Sequence, residues 1–197
     1  MNGVTLQLKK EMTRHAVGSS KLFGSPDVWA DFEWPAIIDS DNCYDLDFVA
    51  QINCRDFSEF DTNGDLPSHG MLYFFYDFTA CPENTEDTNA ARVIYYNGNI
   101  DTLNPLILVD EDGFDSAIAF PHPIFFSSTT AQKRSKLQMC YENEEAEGYT
   151  VLLRINSFSA QNGKIRFNDK GALLFLIRPE KLKRGDFSDI RVKHIYK

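Results

Sequence analysis

A chain of 197 residues has room for one medium domain or two small ones, and at either size it can bury a core without disulfide or metal support. Its 43% hydrophobic and 13% aromatic content, with Phe alone occurring 16 times, excludes a disordered chain, and a net charge of −9 weighs against a broad nucleic-acid surface, which needs a clustered basic face. No apolar run approaches the ~18 residues of a membrane span, and Met1–Thr5 lacks the basic start and apolar core of a secretory signal, so a cytoplasmic location is expected.

In chain order, Val4, Leu6 and Leu8 alternate with polar residues and predict a short edge strand. Residues 20–35 are punctuated by Gly24, Pro26 and Pro35 yet carry Phe23, Trp29, Phe32 and Trp34. Proline forbids a long regular element there, so the segment reads as an ordered loop packing its rings on the first sheet. Phe48–Asn53 is a strand candidate, followed by the acidic loop Asp61–Asp65. Pro67 and Gly70 then lead into six consecutive apolar or aromatic residues, Met71–Tyr76, the pattern of a buried strand. Arg92–Tyr96 predicts another, closed by the Asn97-Gly98 turn with a further strand after it. Leu106–Val109 and Ala117–Phe120 read as short strands, with His122 in a turn between Pro121 and Pro123. The one helix candidate of any length spans Thr129–Tyr141, where Thr129 and Gln132 have capping-box spacing. Tyr149–Asn156 and Ala172–Ile177 are strand patterns; Pro179 to Gly185 has Pro where a short helix starts and Gly where it stops. Ile190, Val192 and His194 alternate as an edge strand.

Two of these stretches repeat. Gln51-Ile52-Asn53 matches Arg154-Ile155-Asn156 at an offset of 103 (51 to 154), and Gly70 before its apolar run matches Gly171 at 101 (70 to 171). Two matches at nearly one spacing predict an internal duplication, with units of approximately 36–110 and 140–197 inside a single domain, 1–197. The fold class expected is mainly β, with two related β-sheet halves packed as one globular unit.

Few motifs point to chemistry. Cys43, Cys54, Cys81 and Cys140 show no paired spacing, which predicts free, mostly buried thiols and no metal. Asp61, Asn63 and Asp65 imitate the start of a calcium loop, but Leu66 and Leu72 stand where Gly and a bidentate Glu are needed, so a solvated turn is expected. No nucleophile elbow or phosphate loop occurs, and His15, His69, His122 and His194 lack ligand spacing. No cofactor is implied. From Arg178 to Lys197 seven Lys or Arg stand against three Asp or Glu, a local excess that suits protection of an edge strand.

The candidate ligand or partner site comes from polar residues within apolar strands. Residues two apart share a strand face, so Gln51 with Asn53 and Arg154 with Asn156 form equivalent polar pairs. Either they satisfy one another and the backbone, or they line a shared cleft together with Trp34 and Tyr73.

Ser20-Lys21, Phe23-Gly24, Pro26 and Trp34-Pro35, then Phe48–Asn53, Gly70–Phe75, Asp169-Lys170-Gly171 with Leu174-Phe175, Leu182 and Asp186-Phe187-Ser188 together resemble the YwqG-like proteins, bacterial domains without an established function. The resemblance spans most of the chain and implies a mainly β fold with two related halves. Arg154 departs from it, because relatives usually carry Gln in both copies. The expectation is a non-enzymatic interaction module whose partner is a protein, of basic surface, met through the acidic surface and the segment around Trp29 and Trp34. The alternative is an enzyme with a dispersed site in the cleft between the halves.

Overall fold

A computed structural model describes residues 4–8, 16–39, 42–61, 64–78, 90–106, 121–127, 137–142, 148–160, 163–165, 167 and 171–195. Its elements are β1 (Val4–Leu8), β2 (Lys21–Leu22), β3 (Asp27–Val28), β4 (Ala36–Asp39), β5 (Asn42–Asp45), β6 (Asp47–Asn53) and α1 (Cys54–Ser58). They continue with β7 (Met71–Tyr76), β8 (Ala91–Tyr96), β9 (Asn104–Pro105), β10 (His122–Ser127), β11 (Leu137–Glu142) and β12 (Thr150–Asn156). The last are β13 (Phe158–Ala160), β14 (Gly163–Ile165), β15 (Ala172–Ile177), α2 (Pro179–Leu182) and β16 (Ile190–Ile195). The protein is therefore mainly β.

Ten strands form one antiparallel sheet in the order β16-β15-β12-β11-β1-β10-β2-β6-β7-β8. At each end lies a three-stranded unit, and the two units share details of register. Asn53 faces Met71 and Asn156 faces Ala172; Val49 and Leu152, placed alike relative to Gln51 and Arg154, are the bulged residues that shift each ladder. The Cys54 N–H donates to the Gly70 carbonyl at 3.0 Å, and the Ser157 N–H to that of Gly171 at 2.9 Å.

The sheet folds over so that its two ends meet. Phe74 of β7 packs edge-on to Phe175 of β15 at 5.2 Å, and the Tyr76 hydroxyl lies 2.7 Å from His194 Nε2 on β16. Leu72, Phe74 and Tyr76 thus meet Leu173, Phe175 and Ile177 in one closed core. The halves are the ends of one sheet, and apolar side chains fill the space between them. The outer side of β7, formed by Met71, Tyr73 and Phe75, is covered by a second apolar layer that includes Val28, Trp29, Phe32 and Trp34. Coverage on both sides explains why Met71–Tyr76 has no polar alternation.

Several local expectations change. β1 sits at the centre of the sheet between β10 and β11, because two partners claim its edges. His122 begins β10, paired with Leu22, and Pro123 follows within the strand opposite Lys21, so the expected turn is strand. Residues 137–141 of the expected helix are strand, paired with β12 from Leu137 opposite Ile155 to Tyr141 opposite Val151, so sheet pairing overrides a weak helical pattern. After Asn97-Gly98 the chain makes a 3-10 turn, Ile100–Thr102, before the two-residue β9. The rest of that helix candidate, Thr129 to Lys136, and the strands expected at Ile107–Val109 and Ala117–Phe120 lie outside the described residues. β16 is an edge strand, and α2 starts at Pro179 as expected.

Candidate functional site

The N-terminal loop is fastened to the outer face of β6 by a buried polar network centred on Asp27. Lys21 Nζ reaches Asp27 Oδ1 at 2.9 Å, with the two side chains 6% and 3% exposed. Gln51 Nε2 donates to Asp27 Oδ2 at 2.7 Å and to the Ser19 carbonyl at 2.8 Å, while Gln51 Oε1 accepts from the Asp27 N–H at 2.8 Å. The Gly18 N–H donates to the same Asp27 oxygen at 2.9 Å. The Tyr73 hydroxyl donates to the Asp27 carbonyl at 2.6 Å, and burial pushes its pKa upward, so it stays a protonated donor. Cross-strand pairing of Lys21 with Gln51 and of Gln51 with Tyr73 puts all three on one face.

Asn53 continues the network at the end of β6. Its Nδ2 donates to the Gly18 carbonyl at 2.9 Å, and its Oδ1 caps α1 by accepting from the Arg55 N–H at 3.0 Å. A cleft of about 290 Å³ opens beside it, lined among others by Val17, Gly18, Asn53, Asp56 and Asp101. Burial raises the Asp56 carboxyl pKa, opposed by the Ser20 hydroxyl that donates to it at 3.4 Å.

Gln51, Asn53 and Tyr73 therefore come together. Trp34 lies in the neighbouring aromatic layer, with its Nε1 donating to the Leu46 carbonyl at 2.8 Å and its ring edge-on to Phe75 at 5.3 Å. Arg154 and Asn156 do not join them. They occupy the outer face of the other unit, where Arg154 Nε donates to Asn156 Oδ1 at 2.9 Å and Nη1 to the Tyr141 hydroxyl at 3.4 Å. The two polar pairs face outward from opposite ends of the sheet, away from the apolar interior.

Two parts of the site were missed by sequence reasoning. Lys21 entered only within the Ser20-Lys21 motif, with no site role attached, and Asp27 gave no signal, because neither lies on a patterned strand. The second part is the hairpin β4–β5, in which Ala36 faces Asp45, Ile37 faces Tyr44 and Ile38 faces Cys43. Its signal was available: an Ile-Ile pair and Cys-Tyr flank Asp39-Ser40-Asp41-Asn42, a cluster of turn-forming residues. Trp29 stacks on Tyr96 at 4.6 Å and Phe32 on Phe75 at 6.1 Å, so these rings form the base on which the hairpin stands. Ile38 is 84% and Tyr44 54% exposed.

Other candidate chemistry is placed as follows. Burial pushes the Cys54 thiol up to about 12 and the Cys140 thiol well above its ordinary value, whereas Cys43 is exposed on the hairpin. Asp61 accepts from the Leu66 N–H at 2.7 Å, a turn role. Among the described residues no three His, Cys, Asp or Glu side chains converge as a metal site, and no helix is long and apolar enough to cross a membrane.

Two overlapping stretches of the chain, residues 20–136 and 110–194, match the family model described as Domain of unknown function (DUF1963). A comparison with curated proteins finds no match.

Proposed function

The chain belongs to the family of domains of unknown function DUF1963, and we propose that this member is a non-enzymatic module that binds a protein partner through the outer layer of its N-terminal half. The observation that carries the reading is the hairpin: Ile38 stands in water on an element whose other face rests, through Ile37, on an aromatic base. A net charge of −9 favours rapid encounter with a basic partner. The assignment to YwqG-like proteins, a cytoplasmic location and an internal duplication belong to the same reading; the bulge and register common to β6–β7 and β12–β15 support the last of these.

The enzyme alternative draws less support. A nucleophilic cysteine needs a lowered thiol pKa, and burial drives Cys54 and Cys140 the opposite way. The space between the halves, where a dispersed site was envisaged, is filled by side chains such as Phe74 and Phe175.

Affinity capture from the native host with the intact chain tests the reading. A stoichiometric protein partner is expected, released as salt rises. Capture of none, together with a small molecule retained by the purified protein, would overturn it.

A further inference from the structure

The hairpin β4–β5 carries features that narrow what the partner must look like, and the inference from them rests on the partner-binding reading above. Side chains facing one another across an antiparallel pair share a side of the ribbon, so Ile38 goes with Cys43 and Ile37 with Tyr44. Ile37 packs against the aromatic layer. Ile38 and Cys43 are accordingly turned away from the body, and Ile38 is 84% exposed. An apolar residue on the water side of a two-stranded ribbon departs from the apolar-in, polar-out alternation of a half-buried strand.

The ribbon is also incomplete as a sheet. Among the described strands, neither β4 nor β5 pairs with a third. Its outer backbone N–H and C=O groups form an edge onto which another strand can add.

Charge selects what would add. Between Leu22 and Cys54 the sequence has seven Asp or Glu and no Lys or Arg. Asp27 is neutralised internally by Lys21, but Asp31, Glu33 and Asp45 are exposed around the hairpin. That field repels nucleic acid and acidic segments and attracts cationic ones.

We propose that β4–β5 is the docking element and that it receives an extended, Lys- or Arg-rich segment of a partner protein. The segment adds as a strand to the ribbon, lays an aliphatic side chain beside Ile38, and sets its cations among the carboxylates of the N-terminal layer. Main-chain hydrogen bonds supply affinity in this mode, while Ile38 and the acidic surround supply selection.

The test uses the full chain and short fluorescent peptides of alternating Lys and Val, with a Glu and Val peptide of equal length as control, read by fluorescence polarisation. The Lys peptide is expected to bind the wild type, to lose about tenfold or more in affinity with Ile38→Ser, and to weaken with added salt; the Glu peptide is expected not to bind. Ile38 is exposed, so the variant should retain its melting temperature. Should it unfold, Asp31→Asn/Glu33→Gln/Asp45→Asn provides a second variant with the same expected loss. Equal binding by wild type and folded variants, or no binding of the Lys peptide to wild type, would overturn the proposal. If the host partner is nonetheless captured equally by wild type and hairpin variant, partner binding stands and the hairpin assignment fails; if neither peptide nor partner binds, both fail.

Discussion

Asp27 acts as a joint between loop and sheet. It lies 24 residues before Gln51, yet its carboxylate, N–H and carbonyl are all taken up by Lys21, Gln51, Gly18 and Tyr73. A buried ion pair adds little over an apolar pair of equal shape, but removing one partner leaves a charge uncompensated. Asp27→Asn is therefore expected to cost about 3–5 kcal/mol in denaturant unfolding, by stranding the Lys21 ammonium. Replacing Gln51 and Asn53 together with Leu should also lower the melting temperature, because the Asp27 N–H and carboxylate each lose a bond, at about 1–3 kcal/mol per orphaned group. An unchanged or raised melting temperature would instead point to a ligand role for the pair. The sequence marked Gln51 and Asn53 by their polarity on an apolar strand. It gave no site role to Lys21 or Asp27, whose burial depends on a fold-back of the loop that no local pattern encodes.

At the scale of elements, the two glycines before the buried strands meet the same steric limit. A Cβ at Gly70 would strike the Tyr96 carbonyl, and one at Gly171 the carbonyls of Ile195 and Phe167. Gly70 also has φ +87°, whereas Gly171 is required by space alone. Backbone atoms of β8, of β16 and of the bend at Phe167 cannot retreat as a flexible side chain would. Gly171→Ala is thus expected to destabilise by about 3 kcal/mol, the upper end of the overpacking range, read as a lowered unfolding midpoint at unchanged denaturant dependence. Strands buried on both sides were legible from the sequence, since continuous apolar runs have one economical reading. β1 as a central strand, β11 in place of a helix, and the hairpin β4–β5 were not, because short or mixed patterns take their structure from whichever neighbours pair with them.

For the whole molecule, the closure of the sheet is the decisive event, and His194 reports on it. Its Nε2 meets the Tyr76 hydroxyl across the two ends of the sheet, and burial lowers its pKa from the ordinary 6.5. In the unfolded chain the imidazole takes up a proton near pH 6.5, while in the folded protein it resists. Stability should hold above that pH and decline as pH falls through and below it. Asp47 and Asp56, raised by burial, act in the opposite sense at lower pH, towards the ordinary carboxylate value of 3.8. Comparing wild type with His194→Gln in denaturant unfolding across pH 5–8 isolates the histidine: the variant should show the flatter profile, and parallel profiles would sink the assignment. The class of fold and the buried strands were legible in the sequence alone, because apolar runs and glycine turns act over a few residues. Tertiary structure was needed to place β6–β7 and β12–β15 towards opposite ends of one sheet, to turn their polar pairs outward and apart, to pin the aromatic loop through Asp27, and to leave Ile38 in water. Each of those depends on chain closure over long separations, where packing and register, and not local preference, choose the partner.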